Sequence, residues 1–429
     1  MTPHPGSLWR LRGFRTLFTA SALSHLGTNI GYVAIPLLAV TVLDAGPGQA
    51  GGLAALSTAA FLIIGLPAGA WVDRLPGRRV LVAADAARAA LLASVPVAWW
   101  LDALSLPQLY AVVLLNGCAT VFFDVGSQSI LPELVGRERL VTANAAVVSL
   151  MAGANIAGRG VGGFLVQLLT APVAILGAAI AYLASAAGLT GVRHRNARAA
   201  APTGRRRLRA EIAEGLRHVF GSKELRALAL TATLTNLGAQ MINAVLPVLF
   251  IRDLGLSAGV LGLYWAAGGL GILLGAGSAR RLAARFGHGR ALGLVGLWFA
   301  PAGLAVALAG RGPWLWVATA GWLAATTKTG VDNMLGVSLR QRLTPDALLG
   351  RMNATFRFLL TGALAVGSAL GGLIGETTGV RVAVWAGAVC LAGAFLPVLC
   401  SPVRTMRELP PAPASQPPRP ASPTATSQS

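Results

Sequence analysis

Long apolar runs alternate with short polar segments along this chain. A helix needs roughly 20 apolar residues to cross the hydrocarbon core of a bilayer. Twelve runs of about that length recur, at residues 17–43, 49–72, 80–101, 106–128, 143–169, 173–192, 226–250, 257–279, 289–309, 313–337, 353–376 and 380–400. Glycine, proline and small charged clusters separate them. The pattern therefore predicts twelve transmembrane helices.

The composition is that of an integral membrane protein. Of the 429 residues, 55% are hydrophobic and 12% are charged, whereas a soluble domain carries roughly 25% charged residues. Mean hydropathy is +0.65. Cys118, Cys390 and Cys400 all lie in apolar runs, so no disulfide framework is expected. Abundant Ala, Gly and Arg suggest a bacterial source, and we expect a multi-pass protein of the bacterial inner membrane.

The basic residues predict the orientation. With a cytoplasmic N-terminus, 28 of the 35 Lys and Arg residues fall on cytoplasmic segments, and only Arg252, Arg311 and Arg381 fall in outer loops. Such asymmetry places both termini in the cytoplasm. It also accounts for the net charge of +20 without a nucleic-acid partner.

The longest connection divides the chain into two sets of six helices. Residues 193–225 are basic, and Leu208, Ile212, Leu216 and Phe220 repeat at the helical spacing of an amphipathic surface helix. A solvated linker is the alternative. The predicted domains are residues 1–192, the linker, residues 226–401, and a Pro/Ser-rich tail at 402–429 that we expect to be disordered.

The two sets of helices carry related sequence. The segment Gln128–Glu133 matches Gln341–Asp346, with its proline and its acid offset by 213 residues. Asn144 with Ala145 and the paired glycines at 162–163 recur later at a nearly equal offset. Several ordered matches indicate a duplication. Parallel six-helix repeats are an architecture of transporters.

A charged hinge at residues 69–79 joins the second and third runs. Together with the twelve helices and the basic central segment, it resembles the major facilitator superfamily, and the resemblance covers about residues 8–403. The spacer between Asp73-Arg74 and Gly77-Arg78-Arg79 is one residue longer than usual. That spacing, and residues 84–88, 122–135 and 344–351, are similar to the macrolide-efflux and enterobactin-exporter-like branch of drug:proton antiporters.

The resemblance implies a cytoplasmic gate. Its expected residues are Gly69, Asp73, Arg74, Gly77, Arg78 and Arg79, with Asp124 as an acidic partner and Asp85 and Arg88 coupled to the hinge. An ion pair at a partly dry interface can hold one state of a rocking protein. The alternatives are that the hinge charges only anchor the loop, and that Asp85 and Arg88, which share a helix face, satisfy each other structurally.

Polar residues mark four helices that line the cavity in the family that the chain resembles. The expected substrate-binding residues are His25, Asn29, Tyr32, Asn116, Asn236, Gln240 and Asn243, with Arg159 between glycines at mid-depth. Polar groups rarely face lipid, so these should face protein or water. Interhelical hydrogen bonding is the alternative for each amide.

Lys328 and Asp332 form the best central ion pair, four residues apart on one helix. One hypothesis is that Asp332 binds a coupling proton while Lys328 balances its charge; the other is a permanent structural pair.

The sequence points to a transporter rather than an enzyme. It contains no P-loop, no Cys/His metal spacing and no nucleophile elbow. We expect a monomeric secondary exporter of amphipathic drugs, macrolides or siderophores that uses the proton gradient and no cofactor. An importer or uniporter of a polar metabolite is the first alternative. A membrane scaffold or receptor that does not transport is the second.

Overall fold

The computed structural model describes residues 8–72, 75–191 and 208–408, which form helices joined by short loops without any β-strand among them. Asp73, Arg74, residues 193–207 of the predicted linker and residues 409–429 of the predicted tail lie outside the described residues.

Each predicted apolar run is a helix. The first six are α1 (Arg12–Thr41), α2 (Pro47–Val72), α3 (Gly77–Trp100), α4 (Leu106–Val135), α5 (Leu140–Leu168) and α6 (Ala171–Thr190). After α7 (Leu208–Gly221) come α8 (Lys223–Val248), which a π-turn extends to Asp253, α9 (Ala258–Phe286), α10 (His288–Ala305), α11 (Pro313–Arg342), α12 (Leu349–Thr377), α13 (Val380–Gly393) and the short α14 (Leu396–Leu399). The all-α fold is confirmed.

Eleven of these helices are long and apolar enough to cross a membrane. The twelfth, α11, has 30 residues but is less apolar, because it carries several threonines besides Lys328, Asp332 and the arginines of its last turn. Helix α4 runs seven residues beyond the predicted run, to Val135, where Gly136 at φ +76° donates its N–H to Pro132. Backbone hydrogen bonding thus continues the helix after the apolar run has ended.

The two sets of helices pack in the same way. In the N-terminal half, α1 contacts α5 and α6, α3 contacts α4 and α6, and α2 contacts α4. In the C-terminal half, α8 contacts α12 and α13, α10 contacts α11 and α13, and α9 contacts α11. These contacts correspond one to one, as a duplication predicts. The halves meet where α2 crosses α12 and where α5 crosses α9.

The apolar core is shared between the halves at one end only. At the end that carries the loops at residues 42–46 and 254–257, one cluster combines Leu37 of α1 with Leu246 and Trp265 of the C-terminal half. At the opposite end, the N-terminal cluster around Phe14 is separate from the C-terminal cluster around Phe356. We call these the closed end and the open end.

Two equivalent hydrogen bonds cross between the halves at the closed end. Gly48 N–H, at the start of α2, donates to Glu376 Oε2 of α12 at 3.0 Å. Gly259 N–H, at the start of α9, donates to Gln167 Oε1 of α5 at 3.1 Å. The first N–H groups of a helix have no partner within it, so each half supplies the N-terminal cap of a helix in the other.

Glycine pairs permit the close approach at these crossings. A Cβ atom on Gly51 would lie 2.5 Å from Gly372 Cα, and one on Gly163 would lie 2.8 Å from Gly262 Cα. Arg252 and Asp44 form a further ion pair between the halves at this end. At the closed end the backbones of the two halves therefore lie in close contact.

Helix α7 covers the stretch in which the four-residue spacing predicts an amphipathic helix. It packs on α8 and α12 of the C-terminal half. Glu214 accepts a hydrogen bond from Arg351 Nη1 at 2.6 Å. Placement of α7 on the membrane surface remains a prediction.

Candidate functional site

A cavity of 440 Å³ lies between the two halves. Residues of α1, α2, α3, α4, α6, α8, α9 and α12 line it, and most of its wall is apolar. It extends from Trp265, near the closed end, toward Phe61 and Arg357, nearer the open end. Concave, largely apolar sites with a few polar groups are typical of small-molecule binding.

Four of the eight predicted substrate-binding residues line this cavity, namely Tyr32, Asn116, Gln240 and Asn243. Trp265 Nε1 donates to Asn243 Oδ1 at 2.8 Å, and the Trp265 ring meets the Tyr32 ring edge-on with centroids 5.3 Å apart. Residues from both halves thus form one aromatic and amide wall.

Arg159 stands behind that wall. Its Cζ lies 4.3 Å from the centroid of the Tyr32 ring, a cation–π distance. Its Nε is buried without a hydrogen-bond partner. Arg159 therefore contacts Tyr32, which lines the cavity, but does not itself line it.

The other three predicted substrate-binding residues lie elsewhere. His25 meets the edge of Phe123, with centroids 6.4 Å apart. Asn29 donates to the backbone of its own helix at His25 and packs against Gly158 of α5. Asn236 lines a separate small cavity in the C-terminal half. The helical spacing that groups His25 and Asn29 with Tyr32 does not place them on the cavity wall.

Asp85 and Arg88 lie in the core of the N-terminal half. Arg88 Nη1 donates to Asp85 Oδ1 at 2.9 Å, and both side chains are fully buried. Arg88 also donates to Ser24, Thr28 and Tyr182. These partners on α1, α3 and α6 all belong to one half, which is the geometry of a pair that ties three helices together.

Lys328 and Asp332 lie inside the C-terminal half. Lys328 Nζ is 2.6 Å from Asp332 Oδ2, and within the described residues neither atom has a further hydrogen-bond partner. Asp332 lines a cavity of about 60 Å³ together with Asn236 and Arg340. The Asp332 side chain is 17% exposed, while its Oδ2, the oxygen that faces Lys328, is buried.

The described hinge residues lie at the open end. Gly69 belongs to α2, and Gly77 begins α3 where a Cβ atom would lie 2.7 Å from Ile130 of α4. Arg78 is half-buried and Arg79 is exposed. The acidic partner predicted for the hinge, Asp124, lines the central cavity. Latching by Asp73 and Arg74 stays a prediction, because both lie outside the described residues.

Sequence analysis assigned no role to Arg357, Phe61 or Trp265, although all three line the cavity. For Arg357 a signal was present, because a charge inside a membrane-spanning helix indicates a functional site. For the two aromatic residues the sequence offers no comparable signal.

The model of the transmembrane secretion effector family matches residues 7–426. The chain belongs to this family of the major facilitator superfamily. The enterobactin exporter EntS of Citrobacter koseri is 30% identical over 330 residues, covering 73% of this chain and 75% of EntS. Among solved structures, a variant of the nucleoside transporter NupG has a TM-score of 0.75 at 14% identity, covering 90% of this chain and all of NupG. A bacterial homologue of the iron transporter ferroportin in an inward-facing state has 0.73 at 18% identity, covering 91% and 98%.

These similarities confirm that this major facilitator protein is a multi-pass membrane transporter and not an enzyme. The two solved structures support the fold alone. The family membership and the relative agree with efflux, so the central cavity is the place to look for substrate binding.

Proposed function

We propose that this transporter exports amphipathic small molecules of the drug, macrolide or siderophore type by proton antiport with alternating access. The observation that carries the proposal is the central cavity, which both halves line while their cores are joined at one end and separate at the other. The similarity to the enterobactin exporter EntS supports the siderophore type.

The cavity wall favours an amphipathic substrate. Aliphatic residues such as Ile35, Leu53 and Leu364 make up much of it, and polar groups such as Gln240 and Asn243 are few. A site for a polar nutrient would need a denser set of hydrogen-bonding groups, because each buried polar group of the ligand must be paired.

In alternating access, the closed end would open and the open end would close. The cap bonds at Gly48 and Gly259 would break as the halves separate there, and contacts at the hinge would form. The equivalent packing of the two halves supports such a rocking motion. We further propose that a monomer is sufficient, that the proton gradient drives it without a cofactor, and that no nucleic acid takes part.

We propose Asp332 as the proton site. Among the described residues, Lys328 is the one cation at ion-pair distance from its carboxylate, and Asp332 lines a cavity. A proton on Asp332 would break the ion pair and leave Lys328 charged, which changes the electrostatics among α8, α11 and α12. Asp124 is the matched comparison, because its carboxylate lies in the central cavity instead.

Inverted membrane vesicles with an acidic interior test the proposal. A panel of macrolides, dyes and a catecholate siderophore is offered, and accumulation that an uncoupler abolishes is expected. Asp332→Asn should lose gradient-driven accumulation yet retain exchange of labelled for unlabelled substrate without a gradient. Unchanged driven accumulation in Asp332→Asn together with its loss in Asp124→Asn would move the proton site to Asp124. Absence of movement of every compound by the wild type would contradict export.

A further inference from the structure

An arginine that forms no ion pair with any described residue faces the central cavity. Arg357 lies two turns into α12 from the open end, and its side chain is exposed to the cavity. Among the described residues it donates no hydrogen bond and has no carboxylate at ion-pair distance. A charge in a membrane-spanning segment is costly unless it has a function or a partner.

The other three cations deep inside the spanning helices do not line the central cavity. Arg88 is fully buried and donates to four side chains. Lys328 pairs with Asp332. Arg159 is packed behind Tyr32. Arg357 is therefore the cation of this group that is free to meet a ligand in the cavity.

Phe61 holds the Arg357 side chain in place. The guanidinium carbon of Arg357 lies 4.2 Å from the centroid of the Phe61 ring, which belongs to α2 of the other half. A cation–π contact uses the charge but none of the N–H groups, so the donors of the guanidinium remain available. A planar fork of donors matches the two oxygens of a carboxylate or of a similar acidic group.

We propose that Arg357 and Phe61 form a subsite that recognises the acidic group of an aromatic organic anion. The acidic group would accept hydrogen bonds from Arg357, and the ring would lie against Phe61 and the apolar wall at Leu53 and Leu364. The inference rests on the proposed function, because it names the charge of the substrate that this cavity takes.

Asp124 places a negative charge in the same cavity as Arg357. It lines the same cavity from the N-terminal half, and its charge interacts with Arg357. A bound anion gains from Arg357 and is repelled by Asp124. Removing one charge should therefore weaken binding of an anion, and removing the other should strengthen it.

Equilibrium binding of two matched probes tests the subsite. Labelled naphthoate and its primary amide share one ring system and differ in charge. Binding to the full-length protein in nanodiscs requires no proton gradient, so the result stands whether or not the vesicle assay supports export. Wild-type protein should bind naphthoate more tightly than the amide. Arg357→Gln should weaken naphthoate binding about tenfold and change amide binding less than about twofold.

Two further variants sharpen the result. Arg357→Lys keeps the charge but loses the fork, and should give naphthoate an intermediate affinity. Asp124→Asn should tighten naphthoate binding about threefold. Equal weakening of both probes in Arg357→Gln, or equal affinity of the wild type for both, would overturn the subsite. Size-exclusion profiles identical to wild type show that each variant is folded.

Discussion

Arg88 contacts side chains on three helices of the N-terminal half. Its guanidinium donates hydrogen bonds to Asp85, Ser24 and Thr28. The guanidinium carbon also lies 3.8 Å from the centroid of the Tyr182 ring. Each contact satisfies a group that would otherwise be buried and unpaired. The favoured interpretation at this position is therefore mechanical: Arg88 joins α1, α3 and α6 into one rigid body.

That interpretation predicts a stability effect. Arg88→Leu leaves Asp85 buried without its cation, which should cost about 3–5 kcal/mol and lower the thermal unfolding midpoint in detergent. Arg281→Leu is the control, because Arg281 is exposed on α9. Partial recovery is expected in Asp85→Asn/Arg88→Leu, since the unpaired carboxylate is then gone. An unfolding midpoint of Arg88→Leu equal to that of the control would contradict the structural role.

At the scale of helices, the crossings of α2 with α12 and of α5 with α9 are set by glycine. A Cβ atom on Gly51 would lie 2.8 Å from Ser368 O as well as meeting Gly372, whereas a Cβ atom on Gly160 would meet nothing within 4 Å. The backbone of one half occupies the space that a side chain at Gly51 would need. A side chain at residue 51 should therefore destabilise the closed end.

Gly51→Ala should therefore disfavour closure and reduce transport at normal expression, while Gly160→Ala should transport like wild type. Forcing a methyl group into a packed contact costs about 1–3 kcal/mol, which shifts the balance of states by about 5- to 150-fold. Distances between spin labels at Leu169 and Thr378, one in each half at the closed end, measure the shift. A distance distribution in Gly51→Ala identical to that of Gly160→Ala would show that closure tolerates the methyl group.

The crossed caps predict a graded effect on the same distances. Glu376→Ala removes the acceptor for Gly48 N–H, and loss of a helix N-cap costs about 0.5–2 kcal/mol. Glu376→Gln keeps an acceptor, as Gln167 does at the equivalent site, but loses the charge that favours a helix N-terminus. We expect longer distances for Glu376→Ala and a smaller change for Glu376→Gln. If the two variants open the end equally, the charge of Glu376 and not the cap bond holds it.

The positions of the helices could be predicted from the sequence. Which neighbouring helix or cavity each polar face meets could not. Apolar runs predicted all twelve helices, because spanning a bilayer requires length and apolarity alone. The spacing of His25, Asn29 and Tyr32 predicted a shared face. Which neighbour that face meets depends on how α1 crosses α5, where Asn29 packs on Gly158 while Tyr32 faces the cavity. Arg357 was visible as a charge, but its contact with Phe61 of the other half is a tertiary contact.

At the scale of the whole molecule, the end that faces the cytoplasm decides from which side substrate enters the cavity. The basic residues predict that the open end faces the cytoplasm, since the segments at 73–79 and 136–139 carry five arginines, Arg74, Arg78, Arg79, Arg137 and Arg139. The described state would then be open to the cytoplasm, ready to take up a substrate for export. With the opposite orientation the same conformation would be open to the outside.

Single cysteines on a background without Cys118, Cys390 and Cys400 measure the orientation. Ala103 is exposed in the α3–α4 loop at the closed end, and Glu138 is exposed between α4 and α5 at the open end. In right-side-out vesicles, a membrane-impermeant maleimide should label Ala103→Cys, and should label Glu138→Cys only after the vesicles are opened. The reverse pattern would contradict the charge argument. It would also turn the closed end, with its caps at Gly48 and Gly259, into the cytoplasmic gate, so that substrate would enter the described cavity from outside.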